Sequence, residues 1–121
     1  MIVGIGDKCL DVAGGGFSNR TLIILFTCHG RGNQQWVVTG GLITGIAGKC
    51  LTVSNLSGVD RTPIELNQCN GAPNQIWSIS FGKIVGLAGK CLNVSGGGSD
   101  DGTPIILFTC HGGTNQACRV Q

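Results

Sequence analysis

Four side chains in the first third of the chain are of types that can act together on a polar ligand: Asp11, Phe26, His29 and Asn33. Asp11 brings an ionised carboxylate, which only accepts hydrogen bonds, while the Asn33 amide both donates and accepts. Phe26 brings a flat apolar face, and His29 follows Cys28 on a loop. A carboxylate, an amide and an aromatic plate around a shallow pocket suit a sugar ring. Vicinal hydroxyls can donate to the carboxylate through charge-assisted bonds. The C–H face of the ring can rest on the phenyl group.

The set recurs in Asn93, Phe108, His111 and Asn115, with an amide where the carboxylate stood, and residues 105–112 match residues 23–30 one for one. An intervening copy departs at the same positions, with Thr52, Asn67 and Asn70. Apolar positions persist in that copy while the chemistry-bearing ones change. Ligand sites are therefore expected in the first and third copies and not in the second. Gln34, Gln75 and Gln116 fall one residue after each Asn and are expected to face inward, with a structural role first and a secondary part in the site.

These copies are a threefold internal repeat. Lys-Cys-Leu-x-Val occurs at 8–12, 49–53 and 90–94, an offset of 41 residues with no insertion or deletion, giving repeats over roughly 1–41, 42–82 and 83–121 of one domain. Each repeat carries four short apolar runs bounded by Gly, Asn and Ser; in the second they are 42–46, 50–53, 64–68 and 75–80. Short runs at this spacing, without capped helical periodicity, predict an all-β chain. Three units of four strands predict a β-trefoil, a six-stranded barrel capped by three hairpins, rather than a propeller, which needs more blades.

Alternation along each run assigns the faces. Leu10, Val12, Ile23, Leu25 and Trp36 are expected in the core, with Asp11, Ile24, Phe26 and Asn33 outward. Leu51, Val53, Ile64, Leu66, Gln75 and Trp77 are expected inward in the second repeat, with Thr52, Glu65, Asn67 and Asn74 outward.

Six of the seven cysteines form repeat-related pairs: Cys9 with Cys28, Cys50 with Cys69 and Cys91 with Cys110. The economical reading is three disulfides within repeats, each stabilising by about 3 kcal/mol, in an oxidising compartment; buried free thiols are the alternative. No C-x2-C spacing points to zinc, and nothing calls for a metal or cofactor. Cys28-His29 and Cys110-His111 invite a thiol-catalysis reading, but disulfide partners cannot serve as nucleophiles. Adjacent strand residues would also point to opposite faces, so no enzyme is expected.

Charged residues make up only 12% of the chain, the net charge is +2, and the basic residues are scattered. Nucleic acid is therefore not an expected partner. No apolar run approaches the roughly 20 residues of a membrane span, so no membrane insertion is expected. The chain opens Met-Ile-Val-Gly without a leader, which suits either a mature secreted chain behind an added Met or a cytoplasmic one. Asn19, Asn55 and Asn93 begin formal N-glycosylation acceptors, the first two in expected loops.

With Cys-Leu-Asp-Val at 9–12, Cys28-His29-Gly30, and Gln-x-Trp at 34–36 and 75–77, the chain resembles the ricin B-type lectins, the family 13 carbohydrate-binding modules. The resemblance covers all three repeats. It implies a β-trefoil with disulfides inside the repeats, up to three shallow sites for galactose-type sugars or xylan-type chains, and glycans or glycoproteins as partners. A secreted or extracellular location goes with it, and an attached catalytic domain or a homo-oligomer is compatible with it.

Carried over by position, the ligand carboxylate falls on Asp11, the stacking aromatic on Phe26, and the amide on Asn33 beside Gln34. In the third repeat the positions are Asn93, Phe108, Asn115 and Gln116. The pattern departs at 116–118, where Gln-Ala-Cys replaces Gln-x-Trp, leaving Cys118 as a buried free thiol or an intermolecular partner. Two other functions stay open for a fold this versatile: a protease-inhibitor-like interaction protein, and a symmetric, engineered or reconstructed scaffold with little sugar binding.

Overall fold

A computed structural model describes residues 1–121: twelve short strands and nine single 3-10 turns, with no α-helix. The strands of the first repeat are β1 (Ile2–Val3), β2 (Cys9–Val12), β3 (Ile23–Phe26) and β4 (Val37–Thr39). Those of the second are β5 (Leu42–Thr44), β6 (Cys50–Val53), β7 (Ile64–Asn67) and β8 (Ser78–Ser80). The third contributes β9 (Lys83–Val85), β10 (Cys91–Val94), β11 (Ile105–Phe108) and β12 (Arg119–Val120). Alternation placed β6 at its observed bounds. It overran β5, because residues 46–48 turn, and β8, because Pro73–Gln75 forms a 3-10 turn before the strand.

Each antiparallel sheet takes the last strand of one repeat and the first three of the next: β4-β5-β6-β7, β8-β9-β10-β11 and β12-β1-β2-β3. The last sheet joins the two ends of the chain through Ile2 opposite Val120. The three hairpins share one register, pairing Leu10 with Leu25, Leu51 with Leu66 and Leu92 with Leu107. They also hydrogen-bond to one another in a ring: the amides of Leu25, Leu66 and Leu107 donate to the carbonyls of Thr103, Thr21 and Thr62 at 2.8, 2.8 and 2.9 Å. The architecture is a β-trefoil.

The core holds 17 buried residues: five threefold sets, headed by Ile2, Leu10, Val12, Ile23 and Leu25, with Trp36 and Trp77. Every apolar residue expected inward from alternation lies in it, and Gln75 is fully buried. The three disulfides are formed, Cys9–Cys28, Cys50–Cys69 and Cys91–Cys110, each fastening the start of a hairpin's first strand to the loop after its second. Cys118 is a free, half-buried thiol packed against the core.

Two glycines are required by close approach. A Cβ on Gly45 would lie 2.6 Å from the Trp36 ring, and one on Gly86 would lie 2.5 Å from the Trp77 ring. The third member of this set, Gly4, faces Cys118 Sγ at 3.9 Å, which is ordinary contact.

Polar ties also cross between repeats. Asp101 Oδ1 accepts from the Thr27 amide at 2.8 Å and pairs with Lys8 Nζ at 3.0 Å. Asp60 Oδ1 does the same with Thr109 at 2.9 Å and Lys90 at 3.0 Å. In the third position Asn19 Oδ1 accepts from the Gln68 amide at 3.1 Å, so the acceptor persists without the charge. Hydrogen bonding from the partner lysine is the largest influence holding Asp60 and Asp101 below the usual 3.8.

Two outcomes follow from this packing. Gly86→Ala should destabilise the protein by about 1–3 kcal/mol through overpacking against Trp77, whereas Gly4→Ala should be nearly neutral; chemical denaturation of the two variants checks the contrast. The depressed carboxyls should contribute stability that is complete above pH 3.8 and is lost as pH falls through their lower folded values. The difference in Tm between wild type and the Asp60→Asn/Asp101→Asn variant should therefore close below that pH. Both carboxylates are more than a third exposed, so added salt should narrow the same difference at neutral pH.

Candidate functional site

Asp11 lies in the middle of β2, pointing away from the barrel core, yet it is only 3% exposed. The expected outward residues of the hairpins are not solvated as alternation suggested: Asn93 and Glu65 are each 4% exposed and Thr52 is 2%. The loop that follows the second hairpin strand folds back over Asp11, Thr52 and Asn93, and Leu22 of the neighbouring hairpin bridges to Glu65. In the first repeat this loop carries Cys28 and His29 outside any strand, β3 having ended at Phe26. Opposed strand faces therefore do not separate Cys28 from His29; what removes the thiol is the disulfide.

The loop is held by a buried amide. Gln34 is fully buried. Its Oε1 accepts from the amides of His29 and Gly30 at 2.8 and 3.1 Å, and its Nε2 donates to Thr27 O at 3.0 Å and to Asp11 Oδ2 at 2.8 Å. Gln75 and Gln116, equally buried, repeat this pattern onto Thr52 Oγ1 at 3.2 Å and Asn93 Oδ1 at 2.9 Å. Gln34 and Gln116 line no cleft and hold the residues that do. Both side chains are fully buried, so their part in the clefts runs through Asp11 and Asn93, which they hold.

Above this bracket lies an open cleft of about 480 Å3, whose walls include Asp11, Phe26, His29 and Asn33, so the four residues singled out in the sequence are brought together. Phe26 is 36% exposed and meets His29 edge-on with ring centroids 6.1 Å apart. His29 Nε2 stands 3.5 Å from Asp11 Oδ2, and its Nδ1 accepts from the Arg31 amide at 3.0 Å, which fixes the ring. Asn33 Nδ2 donates to Asp11 Oδ1 and Val12 O at 3.0 and 3.1 Å. Both of its N–H groups are engaged, so Asn33 offers a ligand its carbonyl oxygen rather than a donor. A carboxylate accepts at about four lone-pair positions. Amides occupy two on Asp11, leaving room for two ligand hydroxyls.

The walls also include Gly14, Gly15, Ile24, Arg31, Gly32 and Ile46. Ile46 comes from the next repeat and carries no signal within its own. Arg31 does carry one: it stands where the other repeats have Ala72 and Gly113.

The third repeat forms a smaller cleft of about 200 Å3 around Asn93, Phe108, His111 and Asn115, with Arg61 of the second repeat on its wall. Asn93 Oδ1 accepts from both Asn115 Nδ2 at 3.1 Å and Gln116 Nε2 at 2.9 Å, and its Nδ2 donates to Val94 O at 3.1 Å. Both carbonyl lone pairs are thus used, and one N–H remains where Asp11 offers two acceptor positions. Asn93, buried here, is also a poor glycosylation acceptor.

In the second repeat no cleft includes Thr52, Asn67 or Asn74. Asn67 donates to Glu65 Oε2 at 3.2 Å. Asn74, expected outward by strand alternation, is 8% exposed, because Pro73–Gln75 is a 3-10 turn, and its Oδ1 has no partner. No cluster of three His, Cys, Asp or Glu side chains is arranged as a metal site.

Residues 33–108 match the family model described as ricin-type beta-trefoil lectin domain-like. Among solved structures, the designed threefold-symmetric protein ThreeFoil is 30% identical with a TM-score of 0.87, over 98% of this chain and 94% of its own. The exo-beta-1,3-galactanase 1,3Gal43A from Clostridium thermocellum is 31% identical with a TM-score of 0.86, over 98% of this chain but 28% of its own. The C-half of the earthworm R-type lectin, solved with GalNAc, is alike in fold with a TM-score of 0.83 at 23% identity, over 98% of this chain and 93% of its own. A 32-residue stretch is 53% identical to the probable lipoprotein EnvE of Salmonella typhimurium, which is 26% of this chain and 18% of that protein.

The glutamine bracket is tested most cleanly in the second repeat, where no cleft includes Thr52, Asn67 or Asn74. Gln75→Leu leaves the Asn70 and Gly71 amides without their acceptor. It should cost about 2–3 kcal/mol of stability, measured as a lower urea midpoint with an unchanged slope.

Proposed function

This chain belongs to the ricin-type β-trefoil lectin-like domain family, and from that premise we propose that it binds carbohydrate and catalyses no reaction. The ligand class is galactose-type sugar, bound mainly in the first repeat. The observation that carries this reading is Asp11, a nearly buried carboxylate with two acceptor positions left, held at the floor of a cleft beside a half-exposed phenyl ring.

Two vicinal hydroxyls would donate to Asp11, the sugar's apolar face would lie on Phe26, and the Asn33 carbonyl would accept a third hydroxyl. His29 braces the aromatic edge and stands beside the carboxylate. Phe108, His111 and Asn115 would form a weaker second site, because Asn93 lacks free acceptor positions. Such shallow sites gain useful affinity by acting together on multivalent glycans or glycoproteins. The three disulfides suit a secreted or extracellular setting.

A second reading, a symmetric scaffold with little ligand binding, draws on the gap-free repeat register and on the likeness to ThreeFoil. Chromatography on immobilised galactose and lactose separates the two. Wild type should be retained, and Asp11→Asn, which keeps the shape and removes the charge, should weaken binding roughly 10- to 100-fold. Asn93→Asp should strengthen binding at the third repeat, raising the number of sites found by calorimetry towards two. Absence of retention of every form would favour the scaffold; undiminished retention of Asp11→Asn would remove the first cleft from the mechanism.

A further inference from the structure

The threefold plan breaks at one core position, and the break leaves a space. Trp36 and Trp77 lie over Gly45 and Gly86, and their indole N–H groups donate to the carbonyls of Leu10 and Leu51 at 3.1 and 3.0 Å. The third position holds Cys118 over Gly4, and no side chain donates to the carbonyl of Leu92, the counterpart of Leu10 and Leu51.

Two related grooves differ here, among other positions, in Cys118 for Trp77 and Ala117 for Ile76. At the junction of the second and third repeats a groove of about 420 Å3 runs between Pro73 and Leu87 and does not extend past Gly86, whose face Trp77 covers. The matching groove at the junction of the third and first repeats uses the counterparts Thr114, Ile5 and Gly4. It then extends to Val3, Gly82 and Cys118, reaching about 560 Å3. It shares no wall residue with either of the clefts around Asp11 and Asn93.

The chemistry of this extension selects its occupant. Its added walls are Val3 and the Cys118 thiol, with Gly4 and Gly82 presenting backbone alone. Burial pushes the Cys118 thiol up to about 11, so it stays protonated and uncharged at neutral pH. Arg119 at the rim is paired with Asp7 at 3.1 Å, so it is already matched by an anion. The space is therefore open, apolar and without an unpaired charge, and at the two sister positions a bicyclic aromatic ring lies over the matching glycine. We propose that this groove is a binding site for a small, uncharged, flat aromatic molecule of indole size, separate from the sugar clefts.

Free indole is the probe. Thermal unfolding of the wild-type protein should show a saturable rise in Tm with indole. Modification of Cys118 by a thiol-reactive disulfide reagent should slow about tenfold at an indole concentration ten times its Kd. Cys118→Ala should keep the Tm response, since space rather than sulfur holds the ring. Cys118→Trp should raise Tm without indole and lose the response, because the side chain fills the space. A wild-type Tm indifferent to indole, an unprotected Cys118, or a response abolished in Cys118→Ala would each overturn the proposal. The protection measurement decides the matter on the wild-type protein alone if the tryptophan variant fails to fold.

Discussion

The recurring interaction on which both fold and site depend is a buried carboxamide. In each repeat one glutamine side chain accepts two backbone N–H groups from the loop after the hairpin and donates to a carbonyl in that loop. Its remaining N–H goes to the central residue of the first hairpin strand: Asp11, Thr52 or Asn93. The loop has no sheet partners of its own, and buried backbone groups left unpaired would be costly. The glutamine supplies the pairing and, in doing so, fixes the distance between loop and strand. A cleft exists between them only because that distance is held.

The bracket is indifferent to what the strand residue is, so long as it accepts one hydrogen bond. Carboxylate, hydroxyl and amide all do so, and the backbone is the same in all three repeats. The chemistry of a repeat can thus change without disturbing its fold. Asp11 has acceptor positions left after satisfying the protein; Asn93 has none on its carbonyl. The difference between a charged acceptor site and a spent one is a single substitution beneath identical Phe and His side chains.

Much of this was legible in the sequence, because period-two alternation and the 41-residue offset are strictly local or strictly repeated signals. They placed the core triplets, the strands and the grouping of Asp11, Phe26, His29 and Asn33. What alternation missed depends on contacts between segments far apart. It reads Asp11, Glu65 and Asn93 as solvent-facing, since a strand pattern cannot show that a distant segment covers its outer face. It reads Asn74 as outward because it takes the Asn-Gln-x-Trp segment as strand, whereas a 3-10 turn aims the Asn74 amide at Val53 O. Ile46 on the wall of the first cleft and Arg61 on that of the third come from neighbouring repeats, and no single-repeat pattern contains them.

The same reasoning explains why one core tryptophan can be absent. Replacing a buried tryptophan by a small residue costs about 3–5 kcal/mol in a tightly closed core, which is a large share of the 5–15 kcal/mol typical of a small domain. Here the site of loss lies at the seam between the chain ends, where β1 pairs with β12 and the wall is already open to solvent. A cavity that opens to water can be wetted or filled from outside, so its cost is lower than that of a sealed void. The remaining restraints do not pass through this position: the three disulfides, the ring of hairpin amides and the glutamine brackets are all complete in the third repeat. Symmetry thus distributes the restraints widely enough that one repeat can lack the core ring, and two can lack the carboxylate, while the β-trefoil persists.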